Sequence, residues 1–203
     1  MKSTVVYVVI DFECFQPNLW QSIGILLYNA DTHCLIREFH TACERVCPRL
    51  STTTQDFWQK HPRAFLWNCA AGKGKVARVE EVRICTFIKE AKAEFPRFFL
   101  IGDNPEYDVG LLNTILARNG HTVISRRNAN LYFQSICTWS SKRVLDRLGI
   151  PILDQELLHL PPMQGETNLA HTPLYDCRKV LNAYLCLLAT ISAVRYGCPQ
   201  QTG

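Results

Sequence analysis

A mixed β-sheet flanked by helices is the fold class that the sequence predicts, and three observations predict it. Three strand-like segments follow one another within residues 4–41. Helix-period and strand-like segments then alternate toward the C-terminus. The elements are short and separated by turn residues, so strands and helices must pack as layers around one core.

Residues 4–10 (TVVYVVI) are a β-branched run with the composition of a strand buried on both faces. Residues 22–28 (SIGILLY) read as a second strand. Asn29-Ala30-Asp31 supplies turn chemistry, and residues 34–41 (CLIREFHT) alternate as a third strand. These three form a meander. Residues 54–67 are aromatic-rich and read as helical, with an interruption near Pro62. A Gly-containing loop carries Lys73, Lys75 and Arg78, and residues 79–95 place Val79, Val82, Ile84, Phe87, Ile88 and Ala91 at helical spacing until Pro96 ends the run.

Residues 97–102 (RFFLIG) are a short buried strand. Residues 107–119 carry Leu111, Leu112, Ile115 and Leu116 on one side of a helix closed by Gly120. A strand at 131–138 and a short helix at 141–148, stopped by Gly149 and Pro151, come next. Residues 151–169 have no strong period and read mostly as loop. The last helix spans 172–196, with Thr172 as N-cap and Pro173 at the first helical position, where its missing N–H costs nothing. The order is β-β-β-α-β-α-β-α-α: about five strands in one sheet, with no repeat.

Length and composition agree. The 203 residues suit a single domain over 1–197 with a short tail at 198–203. With 47% hydrophobic and 20% charged residues the chain is not a disordered polymer. The net charge of +4 is compatible with a polyanionic partner without requiring one. The ten cysteines include no CxxC pair, which argues against a structural zinc knuckle. The N-terminal apolar run is too short for a signal peptide and meets acids at once. The expected setting is therefore a reducing, intracellular compartment, cytoplasmic or nuclear, with buried thiols. No apolar stretch reads as a membrane span.

The chemistry lies at element ends. Asp11 and Glu13 follow the first apolar run, and their i, i+2 spacing puts both carboxylates on one face. Two acids at the mouth of a hydrophobic strand are costly without a positive partner, and a divalent cation is the simplest one. A lone D-x-E more often marks a strand turning polar. Asp108 opens a helix after the strand at 97–102; the helix dipole alone would favour it there, and Asp103 and Glu106 compete for the same role. His171 stands five residues before Asp176, across a helix start. The other histidines, His33, His40, His61, His121 and His159, lack that placement. Four carboxylates converging with one histidine describe a two-metal phosphoryl-transfer site.

These motifs resemble those of the DEDDh branch of the DnaQ-like 3′–5′ exonucleases. The first, D-x-E after a buried strand, matches Asp11-Phe12-Glu13. The second, an Asn four residues before Asp in an aromatic-Asp pair, matches Asn104 with Tyr107-Asp108. The third, H-x4-D, matches His171 and Asp176. Ser22-Ile23-Gly24 is similar to the opening of the family's second strand, and the TQDFW string at 54–58 to a segment of small phage and bacterial exoribonucleases. Pro173 departs from the Ala common in the family two residues after the His.

The resemblance implies a ribonuclease H-like fold. It implies that Asp11, Glu13, Asp108 and Asp176 hold two divalent cations, Mg2+ or Mn2+, and that His171 activates the water. Asp108 is preferred to Asp103 because it follows Tyr107. Cys14 and Phe15 would face the 3′-terminal nucleotide, with Phe15 stacking on a base or packing in the core, and Asn104 and Tyr107 would complete the substrate-binding set. The implied partner is a single-stranded nucleic acid 3′ end, RNA or DNA, with nucleoside 5′-monophosphates released. Two alternatives stand beside it: a catalytically silent nucleic-acid or protein-binding module, and a phosphodiesterase of short oligonucleotides. The basic groups Lys73, Lys75 and Arg78, Arg126 and Arg127, Lys142, Arg143 and Arg147, and Arg178 and Lys179 could track phosphates, although charged surface faces are common.

Overall fold

The apolar run after the N-terminus becomes the middle strand of a five-stranded sheet. In the computed structural model, which describes residues 4–16, 19–45, 50–95, 97–124, 132–152 and 170–196, the strands are β1 (Val6–Gln16), β2 (Leu19–Asn29), β3 (Cys34–Ala42), β4 (Arg97–Gly102) and β5 (Tyr132–Cys137). Their order across the sheet is β3-β2-β1-β4-β5. The first three strands pair antiparallel as a meander, and β4 and β5 add parallel to β1. The mixed sheet is therefore as the sequence predicts.

The helices are α1 (Thr52–Lys60), α2 (Pro62–Gly72), α3 (Ala77–Glu94), α4 (Pro105–Arg118), α5 (Thr138–Arg147) and α6 (Pro173–Tyr196). Period 2 along β1 sorts its side chains between two layers. Val6, Val8, Ile10 and Phe12 face one side, in a core with Ile84, Phe87 and Ile88 of α3 and Leu112, Ile115 and Leu116 of α4. Tyr7 and Val9 face the other side, against Cys177, Val180, Leu181 and Tyr184 of α6. Asp11 and Glu13 extend that second row.

Several expectations are corrected. The apolar-to-acidic change at Asp11 does not end β1: the strand continues to Gln16, with Asp11 opposite Gly24 and Glu13 opposite Ser22. Antiparallel pairing to β2 sustains it after the apolar run stops. The segment at 54–67 is two helices. Ser51 caps the first by accepting the Thr54 N–H, and Pro62, where the interruption was expected, starts the second, so three helices lie between β3 and β4 in place of the two helical segments read at 54–67 and 79–95. α4 begins at Pro105, and α5 follows β5 directly. α6, over Pro173–Arg195, is long and apolar enough to cross a membrane, contrary to the expectation that no stretch is. Part of its apolar content is the face packed on the sheet through Cys177, Val180, Leu181, Tyr184 and Leu185.

Cys43, Cys85, Cys177 and Cys186 are buried. The expected tail at 198–203, the basic pair Arg126 and Arg127, and most of the loop at 151–169 lie outside the described residues.

β2 and α6 meet at Gly24. A Cβ there would lie 2.6 Å from the Pro173 carbonyl carbon and 2.8 Å from the Leu174 nitrogen, both backbone atoms that cannot move aside. Glycine at this position lets the start of α6 descend onto the sheet beside Asp11. Gly24→Ala is expected to lower unfolding free energy by about 1–3 kcal/mol, the usual range for overpacking. A urea melt checks this, and an unchanged midpoint would show that the contact can relax freely.

Candidate active site

β1 outruns β4. Their pairing ends with Val9 opposite Ile101, so beyond that level the β4 side of β1 has no strand partner. The chain turns at Gly102 into α4, and Asp108, in the first turn of α4, accepts the Phe12 N–H at 3.1 Å. A side chain thus takes the place of the missing strand carbonyl, satisfying a buried donor that would otherwise be costly. The same bond brings the Asp108 carboxylate beside Asp11 and Glu13.

Asp103, the competing acid, turns elsewhere: its carboxylate accepts a hydrogen bond from the Thr138 hydroxyl at the start of α5. It is exposed, whereas Asp108 is buried. Glu106 is also exposed.

The third component arrives with α6. His171 precedes the helix with φ 64°, in the left-handed region, which for a residue with a Cβ costs on the order of 1–3 kcal/mol and persists only when neighbours hold it. Asp176 accepts the His171 N–H at 2.7 Å, and its own N–H continues the helix by donating to the Thr172 carbonyl at 3.0 Å. Pro173 occupies the first helical position as expected. The His171 imidazole stands with Nδ1 4.0 Å from Glu13 Oε1. One donor atom each from Glu13, His171 and Asp176 lies within 4.8 Å of the other two.

All five residues that the sequence singled out therefore meet at one end of the sheet. Burial, followed by the neighbouring Glu13, Asp108, Asp176 and Asp103 charges, raises the Asp11 carboxyl well above its ordinary range. Burial together with Asp176 and Asp108 pushes Glu13 to about 8. Asp108 is pushed by burial to about 7, partly offset by the Phe12 N–H and its own N–H. Asp176 rises by burial to about 6, offset by the His171 N–H and Lys179. His171 moves down, through burial and then His61 and Lys179, so its imidazole favours the neutral form. Among the described residues no Lys or Arg forms an ion pair with any of the four acids.

The donor set fits a divalent cation. Asp11 Oδ2 is buried with no hydrogen-bond partner. Clustered, unneutralised carboxylate oxygens are the ligands that hard cations prefer.

The residues expected to bind substrate are placed less uniformly. Tyr107 is 40% exposed on α4, and Asn104 is exposed at the α4 start, where its side chain makes no capping bond. Cys14 is half-buried and shares a hydrogen bond with Tyr107; burial pushes its thiol up to about 12. Phe15 does not fit the expectation that it faces a terminal nucleotide. Its ring is 1% exposed and packs among Trp58, Ala64 and Phe65, so core packing claims it. Of the basic groups, Arg178 pairs with Glu38 on β3, its Nε 2.9 Å from Oε1, and Arg143 lies over the Trp139 ring.

Three neighbours of the site were not among the expected site residues, although Phe57 lies in the TQDFW string at 54–58. Phe57 and His61, from α1 and the α1–α2 junction, place their rings 4.9 Å and 4.1 Å from that of His171. Asn68 of α2 donates to the His171 carbonyl at 2.9 Å. A polar residue inside the apolar string FLWNCAA was the one available signal for Asn68.

The mixed sheet flanked by helices is a ribonuclease H-like fold, shared with solved structures of E. coli exonuclease I. No protein-family model matches the sequence, and no curated protein sequence matches it. Exonuclease I in complex with a 5cy-dA13 oligonucleotide superposes with TM-score 0.60 at 14% identity, over 95% of this chain and 42% of that one. The zinc-ion-bound form of the E. coli exonuclease I–ssDNA complex gives 0.56 at 14% identity, over 97% and 42%. The product-bound structure of exonuclease I gives 0.59 at 13% identity, over 93% and 44%. The chain thus spans about two fifths of the length of the exonuclease I chains it resembles.

The raised carboxyls set a stability signature. Each binds its proton more tightly in the folded chain than in the unfolded one, where carboxyls titrate near about 4. The folded state therefore holds extra protons between about pH 4 and pH 8, and stability falls as pH rises through that window. Metal-free protein is expected to melt lower at pH 8 than at pH 5.5, by on the order of 5 °C. Asp11→Asn should raise the pH 8 melting temperature, because it removes one repelling charge. A lower melting temperature for Asp11→Asn at pH 8 would show that the Asp11 charge supports the fold.

Proposed function

We propose that this chain is a metal-dependent 3′–5′ exonuclease that shortens single-stranded nucleic acid and releases nucleoside 5′-monophosphates. The observation that carries this reading is the meeting of Asp11, Glu13, Asp108, Asp176 and His171 at one end of the sheet, with no Lys or Arg among the described residues in an ion pair with the acids. The fold shared with exonuclease I, solved with oligonucleotides, supports it.

The four carboxylates are the groups that would hold two divalent cations, Mg2+ or Mn2+. Such cations, when bound, supply Lewis-acid stabilisation of the attacking and leaving oxygens. His171 acts on the water: its neutral imidazole accepts a proton as the water oxygen bonds to the scissile phosphorus. The bond from phosphorus to the 3′-oxygen of the penultimate nucleotide breaks, solvent protonates that oxygen, and the terminal nucleotide leaves with its 5′-phosphate. Asp176 fixes the His171 backbone. Tyr107 and Asn104, exposed at the start of α4, would contact the terminal nucleotide.

The test is degradation of 5′-labelled and 3′-labelled single-stranded RNA and DNA with Mg2+ or Mn2+. The 5′ label should report a ladder of shortening products, and the 3′ label should appear at once as mononucleotide. Chelation should stop the reaction. Asp11→Ala and Asp176→Ala should each slow it at least about 10³-fold, and His171→Ala about 10²–10⁴-fold. Wild-type rates from folded Asp11→Ala protein would sink the proposal. Oligonucleotide binding without metal-dependent shortening would favour a silent binding module, and cleavage confined to dinucleotides would favour a short-oligonucleotide phosphodiesterase.

A further inference from the structure

The strained backbone at His171 needs a restraint, and α2 supplies one. Asn68 is completely buried, and its amide is fully committed. Nδ2 donates to the His171 carbonyl at 2.9 Å and to the Ala64 carbonyl at 3.0 Å, using both amide protons. Oδ1 accepts from the Ser22 hydroxyl, and the Asn68 backbone carbonyl accepts from Gln21 Nε2 at 3.1 Å. The residue is thus locked to β2 on one side and holds His171 on the other. Ser22 pairs with Glu13 across β1 and β2, so this chain of contacts begins at the acid row and ends at the histidine.

We infer that Asn68 is a positioning residue for His171. Its amide and the Asp176 carboxylate grip opposite sides of one peptide unit pair: Asp176 takes the His171 N–H and Asn68 takes the His171 C=O. With φ at 64°, neither bond alone fixes the ring direction, because rotation about the remaining dihedral would swing the imidazole away from Glu13. The same helix begins beside His61, whose ring packs on that of His171. Helix α2 therefore holds this histidine by backbone and by ring.

The inference rests on the reading of His171 as the proton acceptor, and its test separates the two. In the Mg2+-loaded chain, Asn68→Ala is expected to lower kcat about 10–100-fold with KM within about two-fold, the pattern of a misplaced reacting group rather than lost binding. In a His171→Ala background the same change should have no further effect beyond about two-fold. The His171 imidazole cross-peak, assigned by its loss in His171→Ala, should move in Asn68→Ala while peaks of His33 and His121 stay.

Ser22→Ala, which removes only the hydroxyl orienting the amide, should shift the same peak and lower kcat about 3–10-fold. It decides the matter if Asn68→Ala does not fold. Wild-type kcat and an unmoved His171 peak in a folded variant overturn the inference, and so does an equal loss in both backgrounds. If the wild-type protein hydrolyses nothing, the functional reading fails, and the peak shift alone then decides whether Asn68 orients His171.

Discussion

The hydrogen bond from the Phe12 N–H to Asp108 is the contact on which the site depends. It exists because β1 continues past the level where β4 ends. A strand that outruns its neighbour leaves inward-pointing donors, and in a buried sheet such donors must be met. Meeting this one with a carboxylate from the next helix converts a backbone requirement into the placement of an acid. The i, i+2 row of β1 then brings Asp11 and Glu13 to the opposite side of the same strand segment from Phe12, where the start of α6 arrives. Sheet termination and site assembly are one event in this fold.

The assembly works against the stability of the chain. Four acids are gathered where burial and mutual repulsion favour their neutral forms. Two of them, Asp108 and Asp176, sit in first helical turns and accept backbone N–H bonds, and their carboxyls are raised less than that of Glu13 on the strand. The hydrophobic layers on both faces of the sheet offset the remaining repulsion. Repulsion retained at a site despite its cost is what a cation-binding function would require, because each positive charge bound there recovers it.

Much of this was legible in the sequence, for identifiable reasons. The mixed sheet followed from segment periodicity, which depends on nearest neighbours along the chain. The acids at Asp11, Glu13, Asp108 and Asp176 were visible because each stands where a pattern changes. What failed were inferences that depend on distant partners. β1 was expected to end at its first acid, yet β2 carries it to Gln16. The choice of Asp108 over Asp103 stands, but its physical reason, the Thr138 hydroxyl that draws Asp103 aside, is reached only through β5. The sequence leaves Phe15 open between stacking on a base and packing in the core, and Trp58 of α1 and Phe65 of α2 decide for the core. Asn68 finds its partners on β2 and before α6, so its place in an apolar string could mark it but not say what it holds.

β2 carries none of the acids or the histidine, yet it sets the distance between the components that do. Gly24 admits the start of α6 at a separation that any side chain would forbid, and Ser22, one pleat away on the same face, holds Asn68. Lengthening either contact would leave every site residue present while moving His171 relative to Glu13. The chemistry-bearing residues can therefore be read from three short motifs, but their working geometry is held by a glycine and a serine on the neighbouring strand. That division explains why the motif residues alone do not specify the site. A chain could keep Asp11, Glu13, Asp108, His171 and Asp176 and still misplace the histidine if β2 presented a larger residue to α6.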